Sequence, residues 1–367
     1  ATLVSDRFSN CASARCACYE RWRGKADMTM VADIRTVLSK SGIAMGVGSL
    51  PHRDSRDAAE FAFAHSPELP TIPTLPRRSP AEGMIAQAVV GIPGIILGQY
   101  GTLLVDTRMI HPLAPVRTSI DHDAFGSLRA FLDVAHEHDG PIKWQFTGPI
   151  TLGWALTRAG VAPHIAFDVA VRAVREHIRA ICDHIGDVLP GRAQVVMLDE
   201  PELGDLLDEN HPLALDSAID ILSGAMAAIE RDAIVGIHTC GQTSLAPLIA
   251  AGPRILSIPA SEALVSEAVT ISGFLEAGGW IAWGVVPTDG PLGTTVERWW
   301  RRLSSVWCGL VQSGCDAMRL RQQSLVTPEC GLALHDPTSA HRVFEQVREI
   351  GEKVRTQALA TRLTVGA

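Results

Sequence analysis

The fold is decided by residues 142–200. This stretch opens with IKWQFTG (142–148), continues through IAFDVAVRAVREHIRAICDHIGDV (165–188) and closes with QVVMLDE (194–200). The first and last runs are short, apolar and rich in aromatic or β-branched residues, and each ends in a polar or glycine residue, as strands do. The middle run repeats its apolar positions at helical spacing. A strand, a long amphipathic helix and a second strand form the unit from which parallel sheets are built.

The same alternation continues on both sides. Further strands are predicted at AMGVGSL (44–50), LPTIP (69–73, the weakest), IVGIHTC (234–240), RILSIPA (254–260), WIAWGVV (280–286) and SLVTPEC (324–330), and TTVERWWRRLSSVWCGLVQSG (294–314) is a second long helical segment. Eight strand–helix units in an α/β chain point to a (β/α)8 TIM barrel. An open, doubly wound sheet is the other arrangement with this pattern. Residues 74–122 are too long for one loop and are expected to form an insertion, or lid, over one barrel end. Residues 1–40 lack the periodicity and are expected to be a poorly ordered N-terminal extension, with the barrel occupying 41–367. Met28 and Met30 in that extension are natural starts.

Composition narrows the function. Hydrophobic residues make up 47% of the 367, enough for a full core. A formal net charge of −8 argues against nucleic acid, which requires a concentrated basic surface. The arginines at 298, 301 and 302, and at 319 and 321, read as solvated helix faces. No apolar run reaches the roughly 18 residues of a membrane span, and the first residues lack the features of a secretory signal, so a cytoplasmic protein is expected. Eight cysteines in such a chain are metal ligands, nucleophiles or inert core rather than disulfides. Cys11, Cys16 and Cys18 have no fourth ligand at a usual spacing. Cys182, Cys308 and Cys315 fall in or beside helices and read as inert.

Chemistry gathers at the ends of the predicted strands: Gly48-Ser49, Thr147-Gly148, Asp199-Glu200, His238 with Cys240, and Cys330. Strand ends collect polar residues because loops follow, but in a parallel barrel these ends also share one rim, where active sites are built. His238 and Cys240, two apart on a strand, face the same side. Cys330 closes the last strand. Two thiolates and an imidazole select Zn²⁺ over magnesium or calcium, and three protein ligands leave a position open for catalysis. Glu262, after RILSIPA, is either a fourth ligand or a solvated loop carboxylate. Asp199 is suited to anchoring a cationic amine, and Glu200 is left open.

These blocks resemble the catalytic barrel of cobalamin-independent methionine synthase, within the superfamily shared with uroporphyrinogen decarboxylase. The blocks are GVGSLPH, FTGPITLGW, VVMLDEPEL, IHTCG, WGVVPTDGP and VTPECGL, in the family's order, over about residues 44–355. The resemblance implies a zinc-dependent methyltransferase in methionine biosynthesis, with His238, Cys240 and Cys330 on the metal. It places the carboxylate of homocysteine on Val47, Gly48 and Ser49, its ammonium on Asp199, and Trp154 in the pocket wall. The methyl donor would be a folate or a methylated corrinoid protein.

Three features depart from the family. Pro259 stands where the family has its zinc glutamate, Asp289 replaces a proton-shuttling histidine as the catalytic candidate of its loop, and LPRRSP replaces a second amine-binding carboxylate. Arg77 and Arg78 would suit a sulfonate, so alkyl transfer to coenzyme M or another small thiol is an alternative. A non-catalytic barrel with structural zinc is another.

Overall fold

The computed structural model describes residues 33–98, 101–207, 213–241, 243–290 and 295–365. Cys11, Cys16 and Cys18 lie outside them. The described chain begins earlier than expected: Ile34–Val37 is a short helix capped by Asp33, and Ile34 and Leu38 are buried.

Among the described residues nine strands form in chain order: β1 Ile43–Ala44, β2 Ile95–Leu97, β3 Leu103–Val105, β4 Ile142–Thr147, β5 Gln194–Asp199, β6 Ala233–His238, β7 Ile255–Pro259, β8 Trp280–Val286 and β9 Ser324–Pro328. Seven make one parallel sheet in the order β1-β9-β8-β7-β6-β5-β4, while β2 and β3 pair antiparallel in a separate hairpin. The decisive unit of 142–200 is as predicted: β4 and β5 pair in parallel across the helix Pro163–Val188.

The expectation of eight regular strands needs correction, because the parallel sheet has seven. The segment 69–74 meets both of its edges without becoming a strand. Ile72 N donates to Lys143 O at 2.8 Å and Lys143 N to Pro70 O at 2.9 Å on the β4 side. Leu50 N donates to Thr74 O at 3.0 Å and Thr74 N to Gly48 O at 3.2 Å on the β1 side. Pro70 and Pro73 have no N–H, so no continuous ladder can form there. β1 is also shorter than AMGVGSL suggested, because Gly46 N turns away from the ladder to Thr71 Oγ1 at 3.1 Å. One short segment bonded to both edges requires the sheet to curl.

The curled sheet separates two cores. Its inner face holds Ile43, Met45, Val195, Met197, Ile234, Ile255, Trp280, Ala282 and Leu325, a cluster distinct from the larger one between sheet and helices. Alternate residues of each strand point inward. That parity continues from Val195 and Met197 to Asp199, and from Ile234 through Gly236 to His238.

The insertion contains the 3-10 turn Pro80–Glu82, the helix Met84–Ala88 and the β2–β3 hairpin. Buried Glu82 ties it down, accepting from Leu75 N at 2.6 Å, Ser127 N at 2.9 Å and Arg78 Nη2 at 2.7 Å. Thr147 Oγ1 donates to Met84 O at 2.7 Å, which sets the insertion over the C-terminal end of β4. His177, fully buried on the long helix, makes a second tie through Nδ1 to Thr118 Oγ1 at 2.9 Å.

Burial pushes His177 down to about 4, against the carbonyls of Ala88 and Val90. A base with a depressed folded-state pKa contributes stability that is complete above its unfolded value near 6.5 and is lost as pH falls towards 4. We expect up to about 3 kcal/mol of acid destabilisation from this residue. Urea unfolding at pH 6.5 and 4.5 checks it: His177→Gln should show a shallower pH slope than the wild-type chain, and equal slopes would refute the assignment.

Candidate functional site

Register sets the site. Thr147 pairs with Asp199, Asp199 with His238, and His238 with Ser257, so four inward polar residues lie side by side at the C-terminal ends of β4 to β7. His238 is buried, and its Nδ1 lies 2.9 Å from Ser257 Oγ. That contact fixes the ring and leaves Nε2 for the rim.

Cys330, just beyond β9, comes within hydrogen-bonding reach of both Cys240 and His238, although about 90 residues separate it from them in sequence. Hydrogen bonds from Cys240 and then His238 pull the Cys330 thiol down to about 4, with Gly331 N–H adding to the effect and burial opposing it. Cys240 moves the other way: its bond to Cys330, burial and the neighbouring negative charge all hold its proton on. Within the pair the proton is favoured on Cys240 and the negative charge on Cys330. The side chains are joined by these bonds rather than spaced around a centre, and no group of three or more His, Cys, Asp or Glu among the described residues has the arrangement of a metal site.

Asp199 stands beside this cluster with its Oδ1 buried and without a hydrogen-bond partner. Burial pushes it up to about 6, opposed by His238 and Lys143 and reinforced by Cys330. A buried carboxylate oxygen with no partner is a place that a cationic ligand group would complete.

Lys143 lies beneath it, 1% exposed inside the curled sheet. Its Nζ donates to Val47 O and, at 3.0 Å, to Gln145 Oε1, while Gln145 Nε2 donates to Ile72 O at 3.1 Å. Burial pushes Lys143 down to about 8, with Asp199 opposing. This network fixes the Val47–Gly48–Ser49 loop. A Cβ at Gly48 would fall 2.1 Å from Gln145 Cδ at a φ of 154°, so that close approach requires glycine, and one at Gly331 would fall 2.1 Å from Ser49 Oγ and displace that hydroxyl. Leu332 N donates to Ser49 O at 2.8 Å, and Val47, Gly48, Ser49, Cys330 and Gly331 line one small cavity.

The structure places the other predicted residues as follows. Trp154 is half-buried on the helix Pro149–Arg158, with the Arg158 guanidinium 5.5 Å from its ring centroid. Glu200 caps that helix, accepting from Ile150 N at 2.9 Å, Thr151 N at 2.7 Å and Thr151 Oγ1 at 2.6 Å. Glu262 is exposed at the start of the 3-10 turn Glu262–Glu267, and the carboxylate whose charge reaches Cys240 is Asp199 instead. Asp289 is exposed and acts on Glu329, which pairs with Arg302 at 2.7 Å. Arg78 is committed to Glu82 and Asp123, while the exposed Arg77 gives one donor, Nη2, to Leu334 O at 2.9 Å. Cys182 and Cys315 are buried, as an inert role requires, but Cys308 is exposed.

Sequence reasoning missed Lys143, Gln145 and Ser257. The first two were visible in IKWQFTG, where inward parity puts Lys, Gln and Thr on one face of a strand buried on both sides. Ser257 had no signal short of the register.

Fold and site together define an α/β chain with a thiol–imidazole–carboxylate cluster on the C-terminal rim of a curled parallel sheet. Comparison with known proteins adds distant relatives. The chain is similar to 5-methyltetrahydropteroyltriglutamate–homocysteine methyltransferase from two strains of Corynebacterium glutamicum, with 26% identity over 229 residues in each case, covering 60% of this chain and 28% of the relative. It thus spans about 28% of the length of the curated relatives it matches. No family profile matches the chain. Among solved structures, 2,3-dimethylmalate lyase aligns over 90% of this chain and 99% of its own, at 12% identity and a TM-score of 0.35.

Proposed function

We propose that this chain transfers a methyl group to the sulfur of a small amino-thiol such as homocysteine, giving methionine, and that Zn²⁺ held by His238, Cys240 and Cys330 is its cofactor. The observation that carries the reading is the meeting of those three side chains beside the unpartnered Oδ1 of Asp199. The named activity of the Corynebacterium relatives supports it. We read the seven-stranded sheet and the segment 69–74 together as a (β/α)8 barrel, working in the reducing cytoplasm that free thiols require.

The donor set suits zinc. Two sulfurs and an imidazole are its preferred ligands, and the second nitrogen of His238 is already held by Ser257, the kind of hydrogen bond that orients metal-binding histidines. When bound, zinc would lower the pKa of a substrate thiol so that a nucleophilic thiolate exists at neutral pH. The protein's own groups do the rest. Asp199 receives the substrate ammonium, the Gly48 and Ser49 edge of the first loop receives its carboxylate, and Lys143 holds that loop still. Sulfur is thereby aimed at a methyl carbon: the S–CH3 bond forms as the donor–CH3 bond breaks, and the thiol proton leaves to solvent. A folate or a methylated corrinoid protein would supply the methyl group.

Metal analysis joined to X-ray absorption tests this. One zinc per chain is expected, with one more sulfur neighbour when homocysteine is added. A coordination shell unchanged by the thiol would make the zinc structural and overturn the catalytic reading, and a chain purified without zinc that takes none up would overturn the metal site.

A further inference from the structure

A cavity of about 720 Å³ opens at the other end of the sheet, where the strands begin. Its wall includes Arg35, Lys40, Arg319 and Arg355, with Trp280 and Asp316. Trp280 is the first residue of β8, so the seven residues of that strand separate the cavity from the thiol rim by roughly 20 Å. It cannot be part of the site described above.

The charges here are not balanced. Glu68 takes up two of the cations, bonding Lys40 at 2.6 Å and Arg355 at 2.5 Å. The Asp316 carboxylate is turned to Met318 N at 2.7 Å and Arg319 N at 2.9 Å, where it caps the helix Ala317–Gln322. Arg35 and Arg319 have no ion pair among the described residues, although the chain as a whole carries a net charge of −8. Arg319, which reads in the sequence as part of a solvated helix face, lines this cavity while staying half-exposed. The cavity wall also contains the indole of Trp280, which is 3% exposed, and its Nε1 is buried without a hydrogen-bond partner. That nitrogen has no open surface on the cavity, so the groups that face a ligand there are the guanidinium forks of Arg35 and Arg319, which match the oxygens of a tetrahedral oxyanion.

We propose that this cavity binds a small, multiply charged oxyanion of the phosphate class, held by the guanidinium groups of Arg35 and Arg319. The site is independent of the thiol chemistry. It does not fit a nucleic acid, since the positive charge is confined to one concave spot on an acidic protein.

Calorimetric titration of the full chain with inorganic pyrophosphate, at ionic strength fixed by sodium chloride, tests the proposal. Citrate is titrated in parallel. Saturable one-to-one binding of pyrophosphate is expected, tighter than citrate. Joint replacement Arg35→Gln with Arg319→Gln should weaken it about tenfold or more, the loss expected when charge-assisted hydrogen bonds are removed. Both arginines lie at the surface or half-exposed, so melting temperature and zinc content should stay at wild-type values in the double variant. Absence of saturation, or equal affinity in the double variant, would overturn the site. Citrate binding as tightly as pyrophosphate would overturn the phosphate class.

Discussion

The Cys330→Ser chain is expected to lose zinc affinity by a thousandfold or more, roughly 4 kcal/mol of the binding free energy typical of thiolate sites. The expectation follows from where the negative charge rests. Cys330 is the sulfur whose proton is already weakly held, because Cys240 and His238 both donate to it. Serine keeps the shape of the side chain, but its hydroxyl stays protonated and offers zinc a poor ligand. The residue is half-buried in a loop, so folding should survive. Glu262→Gln provides the contrast: that carboxylate is exposed, and its replacement should change affinity less than about threefold. Competition against a chelator of known affinity measures both variants. Retention of wild-type affinity by Cys330→Ser would remove this sulfur from the coordination sphere, and a large loss in Glu262→Gln would restore the carboxylate as a ligand.

The contrast between these two residues also shows which parts of the site could be read in the sequence. His238, Cys240 and Cys330 could be found because each ends a strand whose apolar pattern is unmistakable, and strand ends of a parallel sheet share a rim. Glu262 was a candidate through its place in the loop after RILSIPA, and a place in a loop does not fix where a side chain points, so both readings stayed open in the sequence. The strands Gln194–Asp199, Ala233–His238 and Trp280–Val286 were legible because nearly all their residues are apolar on both faces, and Ile142–Thr147 because its outward Ile142, Trp144 and Phe146 are. Segment 69–74 was not, because two prolines remove the donors a ladder needs while leaving Thr71 and Thr74 to bridge its neighbours. Glu200 was ambiguous beside Asp199. Only the fold shows that it faces the start of the next helix, where Gly148 leaves it room, since a Cβ there would sit 2.1 Å from Glu200 Oε1. Lys143 is the instructive omission. A lysine among strand residues reads as an edge or a solvent face, although the alternation in IKWQFTG already sets it on one face with Gln145 and Thr147, and the register with Val195 puts that face inside the curl.

Lys143→Met is expected to weaken homocysteine binding about 30-fold to 100-fold at pH 7, roughly 2–3 kcal/mol, with zinc content unchanged. Methionine matches the length of lysine and packs readily in an apolar interior, so the inner core should accept it. What is lost is the pair of hydrogen bonds that fixes Val47 O and Gln145, and with them the loop that meets the substrate carboxylate. A second effect acts through charge. Lys143 is one of the groups that hold the Asp199 carboxyl down against burial, and without it that carboxyl must rise above about 6. An ionised Asp199 is the form that receives an ammonium, so the acid limb of homocysteine binding should move to higher pH. The deficit should therefore be largest near neutrality and shrink towards pH 8.5. Calorimetry on zinc-loaded wild-type and variant chains between pH 6.5 and 8.5 measures both the loss and its slope. A lysine that only supported the core would behave differently, lowering the melting temperature while leaving thiol affinity and its pH profile where they were. That outcome would reduce Lys143 to packing and leave Asp199 without its counter-charge role.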